Sequence, residues 1–360
     1  LYVSVNKSVL TQESFLSKRA LFWIKISFME SLSVSNHHDS RLDGVIEKGG
    51  SLMEGMVPST TRQITGKGAP TKRRANWKDY LSVTKPGINI SNLMAVFTGI
   101  WLAGAGTVEF VKVVVTILGT ALVIAGGGTL NNYIDRDIDP LMTRTKNRPL
   151  ASRRMHPRIA LGMGSLLSIA GIMLLSWGSN LLAATLAGLG LMVYVVIYSM
   201  WLKRVTPLNT AVGSISGAIP PMIGWAAVTG AINFPAWILF AILFFWQPSH
   251  FYALAMCRVE EYRKAGIPMF PVVKGYISTV KRTVLWVFCL VLVSFLLPVL
   301  GLVGSIYMIS AAIGGLVYLA LSLRGLFMDE HMKWAKQMFT YSLVYLTTIQ
   351  LAILIDVALI

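Results

Sequence analysis

Nine runs of apolar residues, each about as long as a bilayer core is thick, constrain this chain more than any other feature. They fall at 87–105, 113–130, 159–177, 181–202, 208–229, 234–256, 284–302, 306–323 and 338–355. Lipid offers no partner to backbone N–H and C=O groups, so segments of this length cross as helices that satisfy themselves. The predicted fold class is therefore all-α, a polytopic membrane protein of nine transmembrane helices. Composition agrees: 13% of residues are charged and 54% hydrophobic, whereas soluble chains are about a quarter charged.

Residues 1–76 are rich in Ser, Gly, Lys and Thr without an apolar period, and are expected to be a disordered extension before a membrane domain at 77–360. A basic, Ser-rich start also suits an organelle transit peptide, but five acidic residues from Glu30 to Glu54 speak against it. The chain opens on Leu1, which makes Met29 and Met53 candidate starts. From Trp77 to Lys85 the mixture of Trp, Tyr and Lys is that of a segment lying at the membrane interface, and Pro86 opens the first span.

The formal charge of +16 would suit a nucleic-acid partner only if the basic residues formed a patch on a soluble domain, and they do not. Of the 19 Lys and Arg after Gly87, nine alternating spans place 18 on the side of the N-terminal tail and only Lys112 on the other. That asymmetry predicts a cytoplasmic N-terminus, with the charged loops as the working face. Cys257 and Cys289 have no partner at disulfide or metal spacing.

The loop after the second run reads Asn131-Asn132-Tyr133-Ile134-Asp135-Arg136-Asp137-Ile138-Asp139-Pro140. On a helix Asn131, Asp135 and Asp139 share one stripe, and stacked carboxylates need a cation. Mg2+ takes one or two carboxylates while phosphates and water complete its shell. A solvated acidic loop balancing nearby arginines is the plainer alternative. Arg144, Lys146 and Arg148 follow at once, so the loop offers carboxylates for a metal and cations for an anion, which suits a metal-bound diphosphate; phospholipid headgroups are the competing partner. Lys203 and Arg204 stand at the same face after the fourth run, where membrane anchoring also explains them. Pro220-Pro221 must interrupt the fifth helix, at a point expected to face protein or a cavity. His250, in Trp246-Gln247-Pro248-Ser249-His250-Phe251, is either a ligand or a hydrogen-bonded packing residue. A second acidic pair, Glu260-Glu261, follows on the working face.

These motifs carry a resemblance. From about Trp77 onward the chain resembles the UbiA superfamily of intramembrane prenyltransferases, and within it the branch that farnesylates haem. The run Asn131 to Pro140 with Met142-Thr143-Arg144-Thr145 and Arg148-Pro149-Leu150 carries it, with Lys203-Arg204-x-Thr206-Pro207-x-Asn209 and Gly217-Ala218-x-Pro220-Pro221-x-x-Gly224-Trp225. Most specific to the haem branch are Trp246-Gln247-Pro248-x-His250-Phe251 and Tyr262-x-x-Ala265-Gly266-Ile267-Pro268-Met269-x-Pro271.

The resemblance implies nine helices around a central cavity and transfer of farnesyl from farnesyl diphosphate to a vinyl group of haem B, giving haem O for terminal oxidases. It implies Mg2+ held by Asn131, Asp135, Asp139 and Glu261, with Asp135, Asp139 and Glu261 catalytic. Arg144, Lys146, Arg148, Lys203 and Arg204 would bind diphosphate, and His250 and Trp246 would contact haem. Haem A synthase or a terminal-oxidase assembly would be partners, in the bacterial cytoplasmic membrane or, as the alternative, the mitochondrial inner membrane. Two departures stand out: the first motif begins Asn131-Asn132 where the superfamily has Asn-Asp, and Glu261 lacks a second carboxylate one helical turn away. Competing readings are prenylation of an aromatic quinone precursor and an ion-coupled transporter.

Overall fold

The computed structural model describes residues 75–359, so the extension expected over 1–76 lies, up to residue 74, outside the described residues. Lys72–Ile360 forms one compact unit. It opens on α1 (Trp77–Val83), capped by Asn76 and Asp79, each of which accepts the other's backbone N–H. Trp77 is left largely exposed, as an interfacial helix requires. Then come α2 (Pro86–Ala103), α3 (Phe110–Ile134), α4 (Pro157–Gly178) and α5 (Leu181–Met192), which widens into a π-helix over Val193–Leu202. The second half holds α6 (Asn209–Ala218), α7 (Pro220–Thr229), α8 (Phe234–Met256), α9 (Val259–Lys264), α10 (Phe270–Ser294), α11 (Ser305–Arg324) and α12 (His331–Leu359).

Among the described residues nine helical units are long and apolar enough to cross a membrane, the number read from sequence, with α6 and α7 together making one. The seventh differs most in extent. α10 starts at Phe270 rather than near residue 284, because its first turns carry Lys274, Lys281 and Arg282 and so lack the hydropathy of a span. Gly275, at φ 73°, kinks it there, a left-handed conformation open to glycine.

α8 is the hub, packed against α6, α7, α10 and α12, while α3 pairs with α4 and α2 with α7. The α2–α7 contact is backbone on backbone: a Cβ on Gly99 would stand 2.1 Å from the Pro221 carbonyl oxygen, and one on Gly224 2.1 Å from that of Val96. Such small residues let membrane helices approach where no hydrophobic effect drives them together. The helix break at Pro220-Pro221 is buried as expected, and Pro221 lines a cavity of about 20 Å³ with Thr98, Leu243 and Gln350. At the opposite end from the charged loops, Asp356 of α12 accepts the backbone N–H groups of Ile306 (3.3 Å) and Tyr307 (2.7 Å) and so caps α11.

Gly99→Ala is therefore expected to cost about 1–3 kcal/mol by overpacking, read as a lower thermal midpoint in detergent. Gly162→Ala, where an added Cβ meets nothing within 4 Å, is the control and should leave it unchanged. Equal midpoints for the two variants would show that the α2–α7 contact is not tight.

Candidate functional site

The acidic motif does not stay on one helix. α3 ends at Ile134, and Asp135–Asp137 and Asp139–Leu141 form two 3₁₀ turns, so the predicted stripe through Asp139 is corrected. Pro140 cannot continue an α-helix, and the tighter turns fold Asp139 back into the bundle. Asn131, Asp135 and Asp139 still end in one environment, at 3%, 1% and 1% exposure.

Buried carboxylates stay ionised only beside cations, and each has one. Lys203 Nζ donates to Asp135 Oδ2 at 2.5 Å, and Arg148 Nη1 donates to Asp139 Oδ1 and Oδ2 at 3.0 and 2.9 Å. Asp135 Oδ1 and Asn132 Oδ1 are buried with no hydrogen-bond partner. Asn131 Oδ1 accepts from Lys85, and its Nδ2 donates to Ser199 Oγ at 2.9 Å. Arg204 forks across Asp137 at 2.6 and 2.7 Å near the surface, while Arg144 and Lys146 are exposed at the mouth.

Three participants escape a reading of the sequence. Lys85 lies between α1 and α2 with φ 54° and ψ 60°, a left-handed conformation that costs a residue with a Cβ about 1–2 kcal/mol. Its ammonium reaches Asn131 and the Tyr194 hydroxyl (3.3 Å). Burial holds this ammonium well below the usual lysine range; Arg148 adds to the depression, against the opposing pull of Asp135. Tyr194 and Ser199 belong to the π-helix, where Ser199 Oγ donates to the Tyr194 carbonyl five residues back at 2.8 Å. The basic, aromatic approach to Pro86 is the only sign in the sequence of Lys85's role; nothing there announces the π register.

The second acidic loop packs onto the first through Ile138, Met142, Ala265, Ile267 and Met269. Tyr198 is within electrostatic reach of Asp135, Arg144 and Tyr262. On α9, Glu261 pairs with Arg258 at 2.9 Å and Glu260 with Arg263. Among the described residues no three His, Cys, Asp or Glu gather as a ready-made metal cage.

His250 lies inside α8, 9% exposed, with its ring stacked between Trp246 (4.8 Å) and Phe339 (4.7 Å). Its Nδ1 is 2.7 Å from Ser342 Oγ, and that hydroxyl donates to the Phe339 carbonyl at 2.6 Å. One hydroxyl proton cannot serve both contacts, so Nδ1–H is the donor and Nε2 keeps a free lone pair. Trp246 Nε1 donates to the Ser342 carbonyl at 2.7 Å.

The sequence model of the UbiA prenyltransferase family matches residues 92–344. A relative named Protoheme IX farnesyltransferase from Alkalihalophilus pseudofirmus is 51% identical over 280 residues, covering 76% of this chain and 88% of its own. Another of that name from Bacillus mycoides is 44% identical over 306 residues, covering 83% and 94%. The fold is similar to the structure of a digeranylgeranylglyceryl phosphate synthase, with TM-score 0.68, 19% identity and 79% and 99% of the two chains covered. It is also similar to a UbiA homologue from Archaeoglobus fulgidus bound to GPP and Mg2+, with TM-score 0.53, 16% identity and 77% and 99% covered.

Lys85→Ala should weaken binding of inorganic diphosphate with Mg2+ by about 1.5–3 kcal/mol, the scale of a hydrogen bond to a charged group, in calorimetry on the detergent-solubilised chain. Unchanged affinity with an intact elution profile would place Lys85 outside the site.

Proposed function

The chain belongs to the UbiA prenyltransferase family, and from that membership we infer that it transfers the farnesyl group of farnesyl diphosphate to protohaem IX, the activity for which its relatives are named. It is a multi-pass bacterial membrane protein. The observation that carries the reading is the unpartnered, buried Asp135 Oδ1 at the meeting of Lys203, Arg148 and Lys85. An oxygen so placed can take a further cation, and of the cations around it Lys203 and Arg148 are held by Asp135 Oδ2 and Asp139 while Lys85 reaches only the neutral Asn131 and Tyr194.

Magnesium fits this donor set. Asp135, Asn131 and Asp139 would hold it, Glu261 is the carboxylate that the facing loop offers, and the absence of a closed cage among the described residues leaves room for phosphate oxygens and water. When bound, the ion neutralises charge on the departing diphosphate. Arg148 and Lys203 would then exchange carboxylate oxygens for phosphate oxygens, and Lys85, whose ammonium burial disfavours, would gain an anionic partner. Arg144 and Lys146 draw the substrate to the mouth, and Arg204 steadies the loop through Asp137. Tyr194 and Tyr198, stacked at 6.0 Å, offer ring faces to an allylic cation. His250, fixed as the Nδ1–H tautomer, offers Nε2 to the iron of the acceptor haem, and Trp246 braces the ring. The charge asymmetry of the loops supports a cytoplasmic N-terminus, and a farnesylated haem would pass to a haem A synthase or terminal-oxidase assembly.

The test is expression in a host lacking haem O, followed by pigment extraction and mass analysis. A haem heavier than haem B by one farnesyl and one hydroxyl group is expected, with Asp135→Ala lowering its yield about 10²–10³-fold at equal membrane level. A farnesylated quinone precursor with unmodified haem would overturn the acceptor, and full yield from Asp135→Ala would overturn the site.

A further inference from the structure

The residues that line the cavity beside Pro221 mark one side of α8 and one side of α12, and both sides can be followed toward the charged loops. On α8 Leu243 lines the cavity, and His250 stands seven residues further on. On α12 Gln350 lines it, with Leu343 and Lys336 seven and fourteen residues earlier. Seven residues are close to two helical turns, so each set keeps to one side of its helix. Phe339 of α12, stacked on the His250 ring, joins the two helices at that level. Nearer the loops α12 is open, with Lys336 and Thr340 both exposed.

Two groups on these sides have no partner. His250 spends Nδ1 on Ser342, while its Nε2 bonds nothing and is not enclosed. Lys336 pairs with no carboxylate among the described residues. The cations around it are engaged, Lys333 with Glu330 at 3.0 Å and Arg258 with Glu261 at 2.9 Å. The Lys336 ammonium lies within electrostatic reach of Cys257, seven residues past His250 on α8. The rise of those residues sets the ammonium about 10 Å closer to the loops than the His250 ring. A nitrogen fit to bind a metal and, two turns away, an accessible unpaired cation suit a flat ligand with a metal at its centre and carboxylates on one edge. Protohaem is such a ligand, with its iron in the ring and two propionates side by side.

We propose that the Lys336 ammonium binds a propionate of the acceptor haem while His250 Nε2 meets the iron. The inference rests on the farnesyl-transfer reading and adds to it the residue that recognises the acceptor's carboxylates. A single bond to the iron leaves the macrocycle free to turn about the Nε2–iron axis, and protohaem carries two vinyl groups. The ion pair removes that rotation and so selects which vinyl group meets the farnesyl donor. The methylene stem of Lys336 lies along the apolar wall while its charge stays at the level of the loops, where a propionate can remain ionised.

The test titrates the full chain in detergent with protohaem and with protohaem dimethyl ester, in which both propionates are neutral, following the Soret band. Protohaem should bind about tenfold more tightly than the ester. Lys336→Gln should lower the affinity for protohaem to that for the ester and leave the ester unaffected, Lys336→Arg should keep most of the preference, and Lys333→Gln should change neither. Equal affinity of the unaltered chain for the two haems would overturn the proposal, as would an equal loss of both in Lys336→Gln, which would make Lys336 structural. Should Lys336→Gln fail to fold, the two haems on the unaltered chain and on Lys336→Arg carry the test. Failure of the underlying reading looks different: a Soret band that neither haem shifts, or a shift that His250→Ala leaves intact, would remove the acceptor assignment itself.

Discussion

A carboxylate at 1% exposure inside an apolar bundle must either lose its charge or hold a cation beside it, and the Lys203 to Asp135 contact is where this structure meets that demand. Lys203 stands at the end of the π-helix and Asp135 at the end of α3, so one ion pair fastens the two helices whose ends bring most to the site. Arg148 on Asp139 closes the intervening loop on itself, and Arg154 on Asp79 ties that loop to α1. The loop is short of regular structure but not short of partners.

The π-helix is the second condition. With five residues between bonded groups in place of four, it directs Tyr194, Ser199 and Lys203 toward α3, where an α-helix would rotate Lys203 away from them. The extra turn width leaves a poorer backbone geometry, and the compensation is visible: Ser199 bonds the Tyr194 carbonyl and, through Asn131, joins the network that ends at Lys85. Strain at Lys85 and wide turns in the π-helix flank the same few residues.

The nine spans were legible because lipid imposes one rule on every segment, and length with hydropathy expresses it. The residue types of the candidate site were legible, since acids and cations crowd together at the ends of the apolar runs. Its shape was not. Pro140 announces that the helix stops by Asp139, but the earlier end at Ile134 and the 3₁₀ turns that follow are shaped by loop contacts such as Thr145 Oγ1 donating to the Asp139 carbonyl, which helical spacing does not express. The same is true of His250, whose tautomer is set by Ser342, 92 residues away. The start of α10 was hidden for another reason: Lys274, Lys281 and Arg282 lower the hydropathy of turns that are nonetheless helical.

Counting formal charges around the buried oxygens exposes what the resting arrangement lacks. Lys85, Arg148 and Lys203 face Asp135 and Asp139, three cations against two carboxylates, with Arg144 and Lys146 exposed beyond them. Burial already presses Lys85 toward its neutral form, which is how a bundle accommodates a cation without a partner. An incoming diphosphate alone would reverse that pressure and at the same time compete with the carboxylates for their cations, stranding Asp135 and Asp139. As proposed, Asp135 and Asp139 would hold a divalent ion, whose charge would meet both demands while Lys203 and Arg148 turn to phosphate oxygens. On the proposed reading metal and diphosphate therefore bind with positive coupling, each making the other's site electrostatically complete. On that reading the departure of the leaving group would restore the surplus of positive charge, and the Lys203–Asp135 and Arg148–Asp139 pairs would re-form.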